Sequence, residues 1–248
     1  MSRFKNKIVL ITGAGSGIGR STALRLDKEG ATSIVVDMNA EQLKKTHLML
    51  ANPESSSRVL DISSLDDAKK CFEEINDKYS RLDALINVAG ILRFDNSHEV
   101  EISNWNKILE VNLTGTFYMC SFGLPMLLES KGCIVNVSST AALGSHAWTA
   151  AYSASKGGIS AFSKTLAVEY GLKGLNVNCV CPASIETPMS TSPNLPKDID
   201  TRLLKKIMPV DGINRSPDDV ASTIAFLASE DAIHINGIDL RVDGGLLT

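Results

Sequence analysis

Short runs of apolar, mostly β-branched residues alternate along the chain with longer segments in which apolar residues recur every three or four positions. The short runs have the composition of buried strands, and the longer segments have the periodicity of amphipathic helices. The predicted strands are residues 7–12, 32–37, 57–62, 83–88, 132–138, 175–181 and 237–242. The predicted helices lie near residues 17–29, 39–51, 64–79, 101–129, 151–171 and 217–229.

Regular alternation of strand and helix favours parallel strands joined by right-handed crossovers. The sequence therefore predicts an α/β protein, with a Rossmann-type doubly wound parallel sheet of about seven strands and helices on both faces. No internal repeat or Gly/Ser linker divides the 248 residues, so one domain, 1–248, is expected. Residues 184–216 interrupt the alternation with four prolines around a short apolar piece, 203–208. This segment is either a mobile substrate lid, which we favour, or a packed connecting loop.

Composition and charge narrow the class of partner. Hydrophobic residues make up 44% and charged residues 21%, as in ordinary globular proteins, and the net charge is −3. Neither sign of charge forms a long run, which argues against nucleic acid or anionic lipid as a partner. No signal segment precedes the first strand, and no stretch approaches the ~20 apolar residues of a membrane span. We expect a cytoplasmic protein whose partner is a small molecule.

The cysteines and histidines indicate neither a disulfide framework nor a metal. Five cysteines form an odd number without a CxxC pair, which favours buried, reduced thiols. The four histidines lack the i, i+4 spacing of a helical metal site. We predict no metal.

A glycine-rich turn follows the first predicted strand and opens a helix. Gly13, Gly17 and Gly19 fit the spacing TGxxxGxG, whereas GxGxxG fails because Ile18 occupies its last glycine position. Amide groups at a helix N-terminus in this context can hold a pyrophosphate. The alternative is a tight turn that needs glycine only for its backbone conformation.

Asp37 ends the second predicted strand about twenty residues past that turn. A carboxylate there can accept hydrogen bonds from the adenosine ribose and would repel a 2′-phosphate, which favours NAD over NADP. An aspartate facing a loop at a strand end is the alternative. Met38, and not an arginine, occupies the next position.

Tyr152 and Lys156 lie four residues apart in a predicted helix, so their side chains share one face. An ammonium beside a phenol stabilises the phenolate, so the pKa of Tyr152 is predicted to be lowered. Ser139 ends the preceding predicted strand, at the sheet edge where parallel sheets bind ligands. The combination indicates proton exchange with a substrate oxygen.

From Lys7 to the C-terminus the sequence resembles the short-chain dehydrogenase/reductase family. The shared motifs occur in the expected order: Thr12-Gly13, Gly17-Ile18-Gly19, Asp37, Asp61, Asn87-Val88-Ala89-Gly90, Asn112, Ser139, Tyr152 to Lys156, Pro182, Thr187 and Arg241 to Gly245. Val88 replaces the family's second asparagine. Ala183 replaces its glycine after Pro182 and adds a Cβ where a positive φ would be costly.

The resemblance implies that Tyr152 is the general acid/base and that Ser139 polarises the substrate carbonyl. It implies that Lys156 binds the nicotinamide ribose and that Asn112 holds a water leading to solvent. The cofactor-binding residues it implies are Gly13, Ser16, Gly17, Ile18, Gly19, Asp37, Asp61, Ile62, Asn87, Ala89, Gly90, Tyr152, Lys156, Pro182, Ile185 and Thr187.

By the same resemblance, the substrate lies between the lid, the loop after Gly90 and the segment after Ser139. The residues offered there are Leu92, Phe94, Leu143, His146, Trp148 and Met189, with Ser139 as the catalytic contact. Arg93 or His146 is able to recognise a carboxylate or hydroxyl, although each is better explained as a solvated loop residue than as a ligand contact. The sequence does not identify the substrate.

The function predicted is NAD(H)-dependent interconversion of a secondary alcohol and a ketone. Alternatives are a 3-oxoacyl carrier-protein reductase using NADPH, a sugar or polyol dehydrogenase, a steroid or terpenoid alcohol dehydrogenase, and a dinucleotide-binding regulator without catalysis. A homotetramer is also expected, because segments 101–129 and 151–171 carry apolar residues on more than one stripe. Its second contact is predicted near 217–229 and the last strand.

Overall fold

The computed structural model describes residues 2–144, 146–191, 195–197 and 199–248. Within these residues, seven strands form one entirely parallel sheet in the order β3-β2-β1-β4-β5-β6-β7. The strands are β1 Ile8–Thr12, β2 Thr32–Asp37, β3 Ser56–Val59, β4 Ala84–Asn87, β5 Cys133–Val137, β6 Asn176–Pro182 and β7 Asp239–Val242. The Rossmann-type sheet predicted from the sequence is confirmed.

Helices cover both faces of the sheet. They are α1 Gly17–Lys28, α2 Ala40–Met49, α3 Leu65–Tyr79, α4 Ile102–Leu109, α5 Gly115–Ser130, α6 Ala150–Tyr170, the single turn α7 Pro188–Thr191 and α8 Pro217–Leu227. Short 3₁₀ turns occupy Thr140–Ala142, Gly171–Lys173, Thr201–Ile207 and Glu230–Ala232.

Successive residues of one strand enter two different cores. Val9 and Ile11 of β1 pack with α1 and α8, whereas Leu10 packs with α3 and α5 on the opposite face. All three side chains are fully buried. Side chains of a strand alternate between faces, so a strand covered on both sides is apolar at every position. This explains why the central strands read as continuous apolar runs.

The chain reverses its direction of travel across the sheet at β1, which pairs with β2 on one side and β4 on the other. A crevice forms there beyond the carboxyl ends of the strands, and doubly wound sheets bind ligands in that crevice. Thr12 bridges the two strand ends, because its Oγ1 accepts hydrogen bonds from the amides of Val88 (3.1 Å) and Ala89 (3.2 Å).

Two differences from the predicted elements concern residues of the candidate site. Strand β3 ends at Val59 instead of residue 62, so Asp61 lies in the loop beyond it. The predicted helix 101–129 is continuous but contains a π-helical segment, Glu110–Thr114, between α4 and α5. A π segment often marks a functional site, and Asn112 lies within this one.

The helical stretch Ile102–Ser130 is long and apolar enough by composition to cross a membrane, with a mean hydropathy of 1.2 in its most apolar window. This corrects the expectation that no stretch approaches that length. Met119, Cys120 and Leu127 of this stretch are fully buried in the core with α3. Core helices pass the same test, so this stretch is weak evidence for a span.

Candidate active site

The glycine-rich turn fits a bound dinucleotide. Gly13 and Gly17 have φ of +66° and +49°, and a Cβ on Gly13 would lie 2.8 Å from the backbone of Ala89. A Cβ on Gly19 would lie 2.1 Å from the carbonyl oxygen of Gly13. Within the described residues Ser16, at the N-cap of α1, makes no side-chain capping bond, which leaves the first-turn amides open to an anion. The strand, the turn and the helix start therefore form a cradle that suits a pyrophosphate.

Asp37 is held at one end of this cradle by two backbone donors. The amide of Gly15 donates to Oδ2 (2.9 Å), and the amide of Asn39 donates to Oδ1 (2.8 Å). Arg20 donates to the carbonyl of Gly15, to Thr46 Oγ1 (2.9 Å) and to Gln42 Oε1 (3.0 Å), and within the described residues it makes no hydrogen bond to Asp37. The carboxylate thus occupies a fixed position at the cavity wall.

Asp61 lies farther along the same wall. Ser63 donates to its Oδ1 from both the hydroxyl (2.6 Å) and the amide (2.9 Å). The Ser63 hydroxyl is the main cause of the lowered pKa of Asp61, with a smaller contribution from the positive charge of Lys107. The carboxyl group is therefore an anionic acceptor at neutral pH.

Ser139, Tyr152 and Lys156 converge where β5 ends and α6 begins. Ser139 starts a 3₁₀ turn in which its Oγ accepts the amide of Ala141 (3.1 Å). Lys156 Nζ donates to the carbonyl of Val137 (2.7 Å) and lies 5.7 Å from the Tyr152 ring centroid. Ser138 Oγ donates to the Lys156 carbonyl (2.9 Å), so both the side chain and the backbone of this lysine are bonded to the end of β5.

Burial sets the electrostatics of this cluster. It raises the pKa of Tyr152, and the hydroxyl of Ser139 opposes that rise only in part. Burial also lowers the pKa of Lys156 to about 8. The predicted lowering of the Tyr152 pKa by Lys156 is therefore not found, because desolvation of the phenolate is the largest cause of the shift and raises this pKa.

Asn112 connects the π-helical segment to the loop after β4. Its Oδ1 accepts the amide of Ile91 (2.8 Å), and its Nδ2 donates to the carbonyl of Ile91 (2.9 Å) and to Ser155 Oγ (3.0 Å). A Cβ on Gly90 would lie 3.2 Å from Asn112 Oδ1 and 3.5 Å from Lys156 Nζ. Glycine at position 90 therefore keeps open the space between the asparagine and the lysine.

A cavity of about 850 Å³ joins these groups. Its walls run from the glycine-rich turn past Asp37 and Asp61 to the cluster of Ser139, Tyr152 and Lys156. The segment predicted as a lid supplies part of its lining: Thr187, Pro188, Met189, Ser190, Leu195, Leu204, Ile207 and Met208. Residues 192–194 and 198 of that segment lie outside the described residues.

Known proteins share both the sequence pattern and this architecture. The short chain dehydrogenase family profile matches residues 7–198. Meso-2,3-butanediol dehydrogenase of Serratia marcescens is 36% identical over 243 residues, which cover 98% of this chain and 95% of that protein. The chain belongs to the short-chain dehydrogenase family.

Two solved structures resemble this dehydrogenase over nearly its whole length. 3-Ketoacyl-(acyl-carrier-protein) reductase from Brucella melitensis, complexed with NADH, gives a TM-score of 0.90 at 31% identity and covers 98% of this chain and 99% of that one. A single-substitution variant of actinorhodin polyketide ketoreductase with NADPH gives 0.88 at 32%, with 97% of each chain covered. This dehydrogenase is thus an oxidoreductase with a dinucleotide-binding fold.

Most residues predicted from the sequence line the dehydrogenase's cavity. These are Gly13, Ser16, Gly17, Ile18, Gly19, Asp37, Asp61, Ile62, Ala89, Gly90, Leu92, Phe94, Ser139, His146, Tyr152, Lys156, Pro182, Ile185, Thr187 and Met189. Ala183 also lines it, with a φ that is not positive, so its Cβ is accommodated without the expected strain.

Five of the predicted residues lie away from the cavity surface. Asn87 is buried beneath it and donates to Asn136 Oδ1 (2.9 Å), and Asn112 is buried beside Ile91. The carbonyl of Trp148 accepts a hydrogen bond from the amide of Asp95. Leu143 is 42% exposed, and Arg93 pairs with Asp95 (2.9 Å). None of these five is among the cavity-lining residues.

Several lining residues of the dehydrogenase were not identified from the sequence. Lys107 and Val111 reach the cavity from α4 and the π-helical segment, and Thr149 and Asn214 reach it from loops. Lys107 and Val111 are four apart, so helical spacing puts them on one face. Packing of the helix against its neighbours decides which of its faces lines the cavity.

The described residues contain no cluster of three or more His, Cys, Asp or Glu side chains arranged to hold a metal ion. The polar groups at the end of β5 are instead hydroxyls and an amine, which suit proton exchange and hydrogen bonding to a carbonyl oxygen. The site therefore combines a glycine-rich turn that fits a dinucleotide with a cluster of groups able to exchange protons.

Proposed function

We propose that the protein is an NAD(H)-dependent oxidoreductase that interconverts a secondary alcohol and a ketone. The observation that carries this proposal is one continuous cavity with the glycine-rich cradle and Asp37 at one end and Ser139, Tyr152 and Lys156 along it. Such a cavity can place a dinucleotide's reactive ring beside an acid/base group. The family's chemistry supports the same reaction class.

Each catalytic side chain has a proposed role. Tyr152 transfers the proton to or from the substrate oxygen, and Ser139 donates a hydrogen bond to that oxygen. Lys156, anchored on Val137, contacts the nicotinamide ribose, and Asn112 holds a proton-relaying water beside Gly90. Bound nicotinamide supplies or accepts the hydride.

The cofactor residues are proposed in three groups. Gly13, Ser16 and Gly17 to Gly19 hold the pyrophosphate, and Asp37 and Asp61 with Ile62 hold the adenosine. Ala89 and Gly90, above the buried Asn87, line the middle of the groove. Pro182, Ile185 and Thr187 border the nicotinamide.

NAD is the preferred dinucleotide in this proposal. The Asp37 carboxylate is fixed by Gly15 and Asn39, so it cannot easily turn away from an adenosine 2′-phosphate. Like charges at that range repel. A 3-oxoacyl carrier-protein reductase using NADPH is the alternative enzyme. The similarity to the 3-ketoacyl-(acyl-carrier-protein) reductase solved with NADH supports that alternative as a reaction. A non-catalytic regulator is less well supported, because the acid/base cluster is complete.

The proposal includes a cytoplasmic homotetramer acting on a small molecule, without nucleic acid or membrane. All five cysteines lie in the described part of the chain, where they are buried and form no disulfide, as suits a reducing compartment. Exposed apolar residues on α5 and α6, such as Phe117 and Val168, support an assembly surface.

A substrate screen tests the proposal directly. Purified protein is incubated with NAD or NADP and a panel of secondary alcohols, or with NADH or NADPH and ketones and 3-oxoacyl thioesters, while reduced nicotinamide absorbance is followed. We expect turnover of secondary alcohols and ketones, with NAD(H) preferred. Selective turnover of 3-oxoacyl thioesters with NADPH would establish the alternative enzyme. No turnover with any pair would leave the regulator.

A further inference from the structure

The hydroxyl of Thr140, next to Ser139 in the chain, contacts two groups at once. It donates to the carbonyl of Pro182 (3.2 Å), and it lies 3.3 Å from Nε2 of His146. A carbonyl oxygen can only accept, so the single hydroxyl proton points to Pro182. The contact with His146 then requires the hydrogen on Nε2, which makes Thr140 the acceptor.

This arrangement fixes the tautomer of His146. With hydrogen on Nε2, the other ring nitrogen, Nδ1, carries a lone pair and acts as an acceptor. Burial lowers the pKa of His146 below its usual value, which favours the neutral ring. The side chain lines the cavity, and within the described residues Nδ1 has no hydrogen-bond partner. The cavity wall therefore includes a residue with an unpartnered acceptor, whose ring contacts Thr140, the residue next to Ser139.

The other groups of the cavity wall decide what kind of molecule meets this acceptor. Of the described lining residues, only Lys107 and Lys156 are cationic. Lys107 forms an ion pair with Glu110 (3.2 Å), and its positive charge also lowers the pKa of Asp61. Lys156 donates its hydrogen bond to the carbonyl of Val137. A substrate carboxylate or phosphate would thus be desolvated without a counter-charge, which is costly.

Apolar side chains from two loops complete that wall. Leu92 and Phe94 come from the loop after β4, and Leu204, Ile207 and Met208 come from the segment before α8. A neutral molecule with an apolar body and few hydroxyl groups suits this lining.

We propose that His146 recognises a second hydroxyl group on the substrate, so that the enzyme prefers neutral diols and hydroxyketones over alcohols and ketones with one oxygen. The hydroxyl donates to Nδ1 of His146 while the reacting oxygen contacts Ser139 and Tyr152. The inference rests on the proposed function, since it names the substrate class of the same site.

The test compares matched substrates with the intact enzyme. Wild type is assayed with NAD and two pairs, butane-2,3-diol against butan-2-ol and cyclohexane-1,2-diol against cyclohexanol. Because a site built around a hydrogen bond rejects an analogue lacking it, we expect kcat/KM to favour each diol by about tenfold or more. His146→Phe should bring both ratios near one. His98→Phe is the control, because His98 is 81% exposed and lies outside the cavity lining.

A second variant separates recognition from folding. Thr140→Val removes the acceptor of Nε2 and lets the ring change tautomer, so the diol preference should fall while the circular dichroism spectrum stays as in wild type. It also removes the bond to the Pro182 carbonyl, so Thr140→Ser, which keeps the hydroxyl, is its control and should retain the preference. His146→Phe must also keep NADH affinity to count as a test of recognition. If it does not fold, Thr140→Val decides the question.

The outcomes distinguish this inference from the proposed function. Turnover of butan-2-ol or cyclohexanol without diol preference, or a preference that survives His146→Phe, overturns the role of His146 and leaves the alcohol dehydrogenase intact. Absence of turnover with all four alcohols counts against the proposed function. Calorimetric titration of the NADH-loaded protein with each pair then tests His146 alone, and equal affinity for diol and mono-alcohol overturns its role.

Discussion

Replacement of Tyr152 by phenylalanine removes one oxygen atom from the centre of the proposed chemistry and leaves the rest of the site in place. The ring remains in the first turn of α6, and Lys156 keeps its bond to Val137 and its anchor through Ser138. Ser139 still accepts the amide of Ala141. The variant therefore isolates the hydroxyl.

The structure sets different magnitudes for chemistry and for stability. Among Ser139, Tyr152 and Lys156, the tyrosine is the group proposed to exchange a proton with the substrate, so turnover should fall by ~10²–10⁴. That loss equals about 3–5 kcal/mol of activation free energy. The free energy of unfolding should change by only about 1 kcal/mol, because the hydroxyl contributes one weak hydrogen bond at most. Desolvation raises the pKa of this buried hydroxyl.

The assay measures turnover with the best alcohol from the screen, and NADH affinity by fluorescence on the same preparation. Tyr170→Phe, at the other end of α6, is the matched control and should keep both values. Unchanged NADH affinity with lost turnover is the expected result. A Tyr152→Phe enzyme that retains more than about a tenth of wild-type turnover would refute the assignment of the acid/base.

Three further predictions follow from the same geometry. Asp37→Ser removes the carboxylate that accepts Gly15 and Asn39, so the ratio of NADH to NADPH affinity should narrow by about tenfold; tighter NADPH binding already in wild type would contradict this. The folded protein holds the pKa of Lys156 near 8 against 10.5 unfolded, so the unfolded state binds more protons between these values and wild-type stability should rise with pH there. Urea titrations should show that rise, and Lys156→Met should lack it. Light scattering should give the mass of a tetramer for wild type and a lower mass for Phe117→Lys, because Phe117 is 47% exposed on α5 and packs against Phe162. A monomer mass for wild type would rule out the tetramer.

Local patterns were sufficient to predict the sheet and the glycine-rich turn that opens α1. Fully apolar strands between amphipathic helices have few arrangements that bury both faces, and right-handed crossovers select among them. Gly13, Gly17 and Gly19 can be recognised from the sequence alone, because a positive φ or a close approach of the backbone leaves no room for a side chain there. The order of Ser139, Tyr152 and Lys156 also places them at one sheet edge.

The electrostatics and the substrate end depended on tertiary contacts. The direction of the Tyr152 pKa shift follows from how much surrounding protein excludes water, and spacing along a helix carries no information about that. Asn112 lies in a π-helical segment with its amide bound to Ile91, although its local sequence predicts an ordinary helix. Trp148 lies between the lining residues His146 and Thr149 in the chain but does not line the cavity itself, and its φ is +63°.

The sequence by itself determined the fold class, the glycine-rich cradle and the family, because these depend on periodicity and on residues a few positions apart. Only the tertiary structure decided that Lys107 and Asn214 reach the cavity and that Thr140 directs the proton of His146. Such contacts join loops distant in the chain, and their side-chain directions are set by packing against neighbours that no local pattern encodes.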